Sequence, residues 1–250
     1  MNKNIFGYIR NKIRSCYRRM LWTYFAIPVT NIKEIPIIIN NFNHLDCLRI
    51  LVSKLEQSGY NNIYIIDNNS SYKPLIEYYK QIPYKVFLLK KNWGYLSLWK
   101  SGLYKLFKGK YYVYTDSDVV PADFTPSDYI EYFYSIMMKY KNAEKVGFGL
   151  RIDNLPDHYS CKQEVIEWEK QYYKKEISKN LFAAAIDTTF ALYRPYVIGP
   201  ANFYVLHIRT GYPYLAEHLP WYQDSSNPSE EDIYYKNHIQ TSTHWSSKKK

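Results

Sequence analysis

The chain has 250 residues, of which 46% are hydrophobic, and its 33 lysines and arginines against 23 aspartates and glutamates give a net charge of +10. A chain of this length and hydrophobic content can bury a large core, which excludes a disordered or fibrous protein and fits one large domain. The positive charge predicts an acidic partner, with nucleic acid, an anionic membrane surface and a phosphorylated substrate as the open choices.

The first 33 residues predict a basic amphipathic arm. Seven lysines and arginines precede the first acidic residue, Glu34. Apolar side chains recur there at three- and four-residue steps, which on a helix form one stripe with the arginines opposite. The stripe consists of Ile5, Ile9, Ile13, Cys16, Tyr17, Met20 and Tyr24. Such a helix lies on an anionic membrane or packs on the protein's own body, and the sequence leaves both open.

No targeting segment stands out in the sequence. The apolar run 20–29 is too short to span a bilayer and no small-residue cleavage site follows it, so we expect neither a transmembrane helix nor a signal peptide. The three cysteines, Cys16, Cys47 and Cys161, are far apart and lack the paired spacing of a zinc site. These features predict a cytoplasmic protein, peripheral on the inner face of the cytoplasmic membrane if the arm binds lipid.

The segment from Ile35 to Thr115 alternates short apolar runs with amphipathic stretches. This alternation predicts an α/β fold with a mostly parallel sheet flanked by helices. The predicted strands are 35–40, 62–66, 85–89 and 111–115. The predicted helices between them are 45–55, ending at Gly59, a short helix opened by Pro74, and 93–107.

The alternation loosens in the second half of the chain. Helices are predicted over 128–140 and 164–173, and a strand over 146–152. The segments 181–193 and 203–209 are expected to contain strands, 211–228 is predicted to be loop, and 229–250 a polar carboxyl-terminal segment. With no repeat and no clear linker, the pattern predicts a single domain that carries an amino-terminal basic helix.

Polar side chains follow three of the predicted strands, at the edge of an open parallel sheet where ligands bind. They form the clusters 40–43, 67–70 and Asp116-Ser117-Asp118. Two neighbouring carboxylates repel each other, so the last cluster predicts a divalent cation bound by Asp116 and Asp118. No glycine-rich fingerprint follows the first strand, so a nucleotide's phosphates would depend on that cation.

These clusters, with Asn92-Trp93-Gly94, resemble the GT-A glycosyltransferases, in particular those similar to family 2. The resemblance covers about 35–121 and implies a Rossmann-like nucleotide-diphospho-sugar transferase fold over 34–228, with a nucleotide-binding half at 34–121 and an acceptor half at 122–228. It also implies Mn²⁺ or Mg²⁺ on the two aspartates and a UDP- or GDP-sugar donor. The residues expected to contact the donor are Asn40, Asn41, Asn43, Asp67, Asn69, Asn92, Lys100, Asp116 and Ser117.

Further candidates lie in the second half. Asp187, a charge among apolar neighbours, is the candidate catalytic base or a local backbone cap. The family's usual acidic pair is absent there, which leaves the base and the expected inversion open. His218 is the candidate third metal ligand, with His207 as its competitor, and Trp221 stacks on the acceptor sugar or belongs to the core. Like Lys100, Arg209 contacts phosphate or is a structural charge.

The sequence therefore predicts a metal-dependent glycosyltransferase of bacterial surface polysaccharide or lipopolysaccharide synthesis. Its acceptor would be a glycan or a lipid-linked glycan, and we expect no nucleic-acid partner. One alternative is a phosphatase of the haloacid dehalogenase type with Asp116 as nucleophile, because 111–120 has that pattern. In that superfamily, however, the motif follows the first strand, whereas three strand and helix units precede it here. The other alternative is a non-catalytic basic module that binds membrane or nucleic acid.

Overall fold

A single mixed sheet forms the centre of the computed structural model, which describes residues 2–186, 189–199 and 205–239. Within these residues the sheet has ten strands. They are β1 (Ile37–Asn41), β2 (Ile63–Asp67), β3 (Lys85–Leu88), β4 (Tyr112–Asp116), β5 (Val119–Pro121), β6 (Ala143–Leu150), β7 (Glu176–Ser178), β8 (Leu181–Ala183), β9 (Ala191–Tyr193) and β10 (Leu206–His218). The α-helices are α1 (Asn2–Phe25), α2 (Asp46–Gln57), α3 (Lys73–Tyr79), α4 (Ser97–Lys100), α5 (Tyr129–Lys139), α6 (Lys162–Lys170) and α7 (Glu230–His238).

The strand order is β3-β2-β1-β4-β9-β6-β10-β8-β7, and β5 pairs with β10 beside this row. The first four strands of the row are parallel, as predicted. The sheet as a whole is mixed rather than mostly parallel, because β9 runs antiparallel to β4 and β6, and β8 antiparallel to β10, although β6 and β10 are paired in parallel. The two-residue turn at Lys179 and Asn180 explains part of the difference, since so short a turn can join β7 and β8 only as a hairpin.

Both faces of the sheet are covered, which explains why β1 begins with three consecutive apolar residues, Ile37, Ile38 and Ile39. Ile37 and Ile39 belong to the main core, which includes the buried side chains of α2 and α5, whereas Ile38 belongs to a second core on the opposite face. Successive side chains of a strand alternate between faces, so a strand buried on both sides cannot show a polar face. Trp22 of α1 and Trp99 of α4 complete the second core.

Two predicted segments differ from the structure. The predicted helix 93–107 is broken into a 3-10 turn, the single turn α4 and a second 3-10 turn (Leu103–Phe107), with Gly102 in a left-handed conformation (φ 82°) between the last two. The prediction of loop over 211–228 is wrong for 211–222, because β10 continues to His218 and a 3-10 turn (Leu219–Tyr222) follows, and it is confirmed for 223–228. Pairing with β6 and β5 holds this part of β10 extended, and such long-range pairing leaves no local sequence signal.

The predicted polar carboxyl-terminal segment contains helix α7. Ser229 starts it with a capping box, in which its hydroxyl accepts a hydrogen bond from the Asp232 amide while the Asp232 carboxylate accepts one from the Ser229 amide. Tyr234 packs on Tyr72 with the ring centroids 5.0 Å apart, and Tyr235 lies 4.0 Å from the ring of His44. The helix therefore packs on the domain, next to the loops that follow β1 and β2.

Candidate functional site

The register of the parallel strands places the predicted polar clusters side by side. Asn40 of β1 is paired with Asp116 of β4, and Asn41 is paired with Asp67 of β2. The chain leaves β4 with a hydrogen bond from the Ser117 amide to the Asn40 carbonyl, 3.1 Å long. The three clusters thus meet at the carboxyl edge of the sheet, where α/β proteins bind their ligands.

Asp116 is held in place by the protein. The Asn40 side-chain amide donates a 2.8 Å hydrogen bond to Asp116 Oδ1, and the Ser97 hydroxyl of α4 donates a 2.6 Å bond to Asn40 Oδ1. Both polar atoms of the Asn40 side chain are therefore engaged within the protein. In this structure Asn40 orients the aspartate, although the sequence pattern predicts that it contacts the donor.

Asp118 and His218 come together through the pairing of β5 with β10. His218 lies opposite Val119 in this antiparallel pair, and the Leu219 amide donates a 2.9 Å hydrogen bond to the Asp118 carbonyl. Asp118 Oδ2 and His218 Nε2 are consequently 3.4 Å apart. His207 lies near the other end of β10, opposite Lys145, so it is His218 that the fold places beside the acidic cluster.

The side chains of Asp118 and His218 fit a divalent cation. Asp118 Oδ1 and His218 Nδ1 are buried and have no hydrogen-bond partner among the described residues, an arrangement that costs free energy unless something binds there. The other two atoms of these groups, Asp118 Oδ2 and His218 Nε2, are 3.4 Å apart, and both could lie at about 2.1 Å from one ion. Carboxylate oxygens together with imidazole suit Mn²⁺ in particular.

The electrostatics of this pair also favour an ionised carboxylate. Burial alone would raise the pKa of Asp118, but the nearby imidazole of His218 outweighs it and lowers that pKa below its usual value. Burial alone would lower the pKa of His218, but the charge of Asp118 outweighs it and raises that pKa. Asp118 therefore remains available as an anionic ligand near neutral pH.

A chain of hydrogen bonds joins the ends of β4, β1 and β2. The Ser117 hydroxyl donates to Asn41 Oδ1 (2.6 Å), the Asn41 amide donates to the Tyr79 hydroxyl (2.9 Å), and this hydroxyl donates to Asp67 Oδ2 (2.9 Å). Burial raises the pKa of Tyr79, which keeps it protonated as a donor. Sequence reasoning missed Tyr79, because one of 29 tyrosines carries no local signal. Asp67 also accepts a 2.9 Å hydrogen bond from the Ser70 amide at Oδ1 and is 2% exposed, so its contact with a ribose or a base edge stays a prediction.

The remaining predicted donor contacts lie in loops around this edge, except Lys100, which ends α4. Asn43 accepts hydrogen bonds from the Ser71 and Tyr72 amides, 2.8 and 3.0 Å long, and so organises the loop before α3. Asn92 accepts one from the Gly94 amide. Exposed side chains that can reach a ligand are those of Asn69 and Lys100.

The predicted residues of the second half have different environments. Asp187 lies outside the described residues, so its role as base stays a prediction. Arg209 is buried, donates to the Ala185 carbonyl and pairs with Glu169 at 2.8 Å, which makes it the structural charge that was one of its two predicted roles. Trp221 is 3% exposed and packs 4.7 Å from the His218 ring, so a sugar could stack on it only after the indole is uncovered.

Among the described residues, the group of three potential ligands whose donor atoms lie within 4.8 Å of one another is His44, Cys47 and Glu231, buried beside the site, whereas Asp116, Asp118 and His218 do not form such a group. The Glu231 carboxylate accepts hydrogen bonds from the Leu45 and Asp46 amides at the start of α2. That position, at the positive end of a helix, favours an anion and opposes a cation. Burial, aided by nearby carboxylates, raises the pKa of Cys47 and keeps its thiol protonated. We therefore assign Glu231 of α7 as a side-chain cap of the amino terminus of α2.

Replacing Glu231 with alanine should lower the free energy of unfolding by about 1–3 kcal/mol, because it leaves the two α2 amides without an acceptor. Urea unfolding measures the change. Glu230→Ala is the matched control, since Glu230 is exposed in the same helical turn and should change stability little. Equal losses in the two variants would contradict the assigned cap.

Comparison with protein-family models and with curated proteins gives no match for this chain.

Proposed function

We propose that the protein is a metal-dependent glycosyltransferase with a GT-A-type fold, which transfers a sugar from a UDP- or GDP-sugar to a glycan or lipid-linked acceptor. One observation carries the proposal: β5–β10 pairing sets His218 beside Asp118, two residues from Asp116, at the carboxyl edge of parallel strands. The strand order β3-β2-β1-β4 supports it, since this is half of the Rossmann-type order that binds nucleotides.

The proposed roles follow from the environments of the side chains. Asp116, oriented by Asn40, and Asp118, with His218, would hold Mn²⁺ or Mg²⁺. When bound, this ion would neutralise the negative charge that develops on the departing nucleoside diphosphate. Asp67 would accept hydrogen bonds from the nucleoside, because its carboxylate lies at the end of β2 next to β1.

The acceptor side of the reaction rests on fewer residues. Asp187 remains the proposed base for the acceptor hydroxyl in an inverting transfer. Two buried cationic side chains form hydrogen bonds to the described segment that precedes it. Lys145 donates to the Ile186 carbonyl, and Arg209 donates to the Ala185 carbonyl. These bonds fix where the chain approaches residue 187.

A panel of sugar nucleotides tests the proposal. The full chain is incubated with each compound and Mn²⁺, and release of nucleoside diphosphate is measured together with the shift in melting temperature. We expect slow hydrolysis of one nucleotide class, abolished by EDTA, and stabilisation by the same nucleotide only when Mn²⁺ is present.

Two other outcomes would reject the proposal. Metal-dependent release of phosphate from a simple phosphomonoester, without nucleotide release, would indicate the phosphatase with Asp116 as nucleophile. If no member of the panel is turned over and none stabilises the protein, the non-catalytic basic module is the alternative that remains.

A further inference from the structure

The α1 side chains that the structure describes contact the domain through one face of the helix. Arg18 forms an ion pair with the buried Glu144 (3.2 Å) and donates a 3.0 Å hydrogen bond to the Ile198 carbonyl. One helical turn further on, Trp22 is buried in the second core, where the guanidinium of Arg194 lies 5.3 Å from its ring. These contacts fix which face of the helix points away from the protein.

The outward face of α1 is apolar. Its exposed apolar side chains recur at three- and four-residue steps, each 45–76% accessible, and no described residue covers the face they form. They are Ile9, Ile13, Tyr17, Met20 and Tyr24. Residues at these steps share one side of a helix, opposite the side that carries Arg18 and Trp22. Packing of this stripe on the protein's own body, one of the two readings of the sequence, is therefore wrong for the described residues.

Positive charge borders the apolar face on both sides. Arg10 and Arg14 directly follow two stripe residues and lie along one border, and Arg19 directly precedes Met20 and lies along the other. All three arginines are exposed. An apolar stripe between cationic borders matches the boundary between acyl chains and anionic headgroups.

A further apolar and cationic cluster follows the helix in the chain. The amide of the exposed Ile27 donates a 2.7 Å hydrogen bond to the Gly109 carbonyl, which places Ile27 next to the exposed Lys108 and Lys110. Apolar and cationic side chains therefore lie together here as well. Additional basic groups strengthen attraction to an anionic surface.

We infer that the outward face of α1 binds an anionic membrane, with the helix in the interface plane and the catalytic domain held against the lipid through Arg18 and Trp22. Charge complementarity selects lipid over a second copy of the chain, because two copies meeting at this face would bring their arginine borders together. No described helix is long and apolar enough to cross a bilayer. The inference concerns attachment and is independent of the chemistry proposed at Asp116 and Asp118.

Co-sedimentation of the full chain with vesicles tests the inference. The wild type should bind vesicles of phosphatidylcholine and phosphatidylglycerol, and binding should weaken with salt and with removal of the anionic lipid. The double variant Ile13→Asp/Tyr17→Asp should bind at least roughly tenfold more weakly. In the double variant Arg10→Glu/Arg14→Glu, vesicle binding should be weaker by about fivefold or more for each arginine replaced.

Matched controls carry the same changes elsewhere on the surface. Leu88→Asp replaces a side chain that is 65% exposed, as is Ile13, and Lys73→Glu/Lys80→Glu reverses two exposed charges at α3, which packs on the main core at the opposite face of the sheet from Trp22. Both should bind vesicles like the wild type. Circular dichroism and thermal unfolding check that every variant folds.

Two results would overturn the inference. One is equal vesicle binding by the wild type and both α1 variants. The other is a wild-type dimer in sedimentation equilibrium that Ile13→Asp/Tyr17→Asp dissociates, with no vesicle binding by either protein, which would assign the face to a second copy.

Discussion

Replacing Asp118 with asparagine should lower the metal-dependent release of nucleoside diphosphate by about 100- to 1000-fold. The change keeps the size of the side chain but removes the charge that the proposed ion needs next to His218. The substitution also removes the anionic partner of His218, so we expect some loss of stability at neutral pH beside the loss of turnover. Steady-state kinetics and thermal unfolding measure the two effects separately.

Asp123→Asn is the control for this experiment. Its carboxylate lies a few residues further along the chain, is 97% exposed and forms a surface ion pair with Lys54. Exposed pairs contribute little, so activity and stability should both remain near the wild-type values. Undiminished turnover in Asp118→Asn, or an equal loss in the two variants, would remove Asp118 from the proposed metal site.

Replacing Arg209 with methionine should lower the free energy of unfolding by about 3–5 kcal/mol. The substitution leaves the buried Glu169 carboxylate without its 2.8 Å partner and the Ala185 carbonyl without its donor. Chemical denaturation measures the loss. This result would show that Arg209 is a structural arginine. A phosphate-binding arginine, the other role that the sequence allowed, would on removal weaken donor binding and leave stability unchanged.

The pH dependence gives this prediction a definite sign. Burial already raises the pKa of Glu169, and removal of Arg209 would raise it further. A carboxyl group whose folded-state pKa is raised favours the folded state below its unfolded pKa, roughly 4.3, and loses that contribution as pH rises. The penalty of Arg209→Met should therefore shrink under acid conditions. Adding Glu169→Gln should recover most of the stability at neutral pH, and failure to do so would contradict the ion-pair explanation.

The parallel half of the sheet was predictable because its strands are buried on both faces. Such strands appear in the sequence as uninterrupted apolar runs, and β1, β2 and β4 each end directly at a predicted polar cluster. The position of Asp116 and Asp118 at the sheet edge followed from this pattern. The exact use of each side chain did not, because Asn40 and Asn41 satisfy their amides within the protein.

The second half depends on contacts between distant segments. β10 reaches His218 only because β6 and β5 pair with it, and this pairing is also what brings His218 to Asp118. No local spacing encodes that approach, so the sequence could not choose between His218 and His207. The capping box at Ser229 was a readable start signal for α7, but its polar surroundings concealed the helix.

The orientation of α1 was likewise undetermined by its periodicity. The apolar stripe predicts an amphipathic helix, yet the helix carries apolar side chains on its docked face too, such as Trp22. Only the contacts of Arg18 and Trp22 with the domain decide which face remains outside. These tertiary contacts therefore decide between the two predicted positions of the apolar stripe and show that it is exposed.

Electron paramagnetic resonance of Mn²⁺ tests the central claim most directly. The signal of free Mn²⁺ should fall further when wild-type protein is added to Mn²⁺ with UDP or GDP than it does with the nucleotide alone, and the double variant Asp116→Asn/Asp118→Asn should give the nucleotide-alone value. An unchanged signal with the wild type, or an equal decrease with the variant, would contradict a metal-bound nucleotide at these two aspartates.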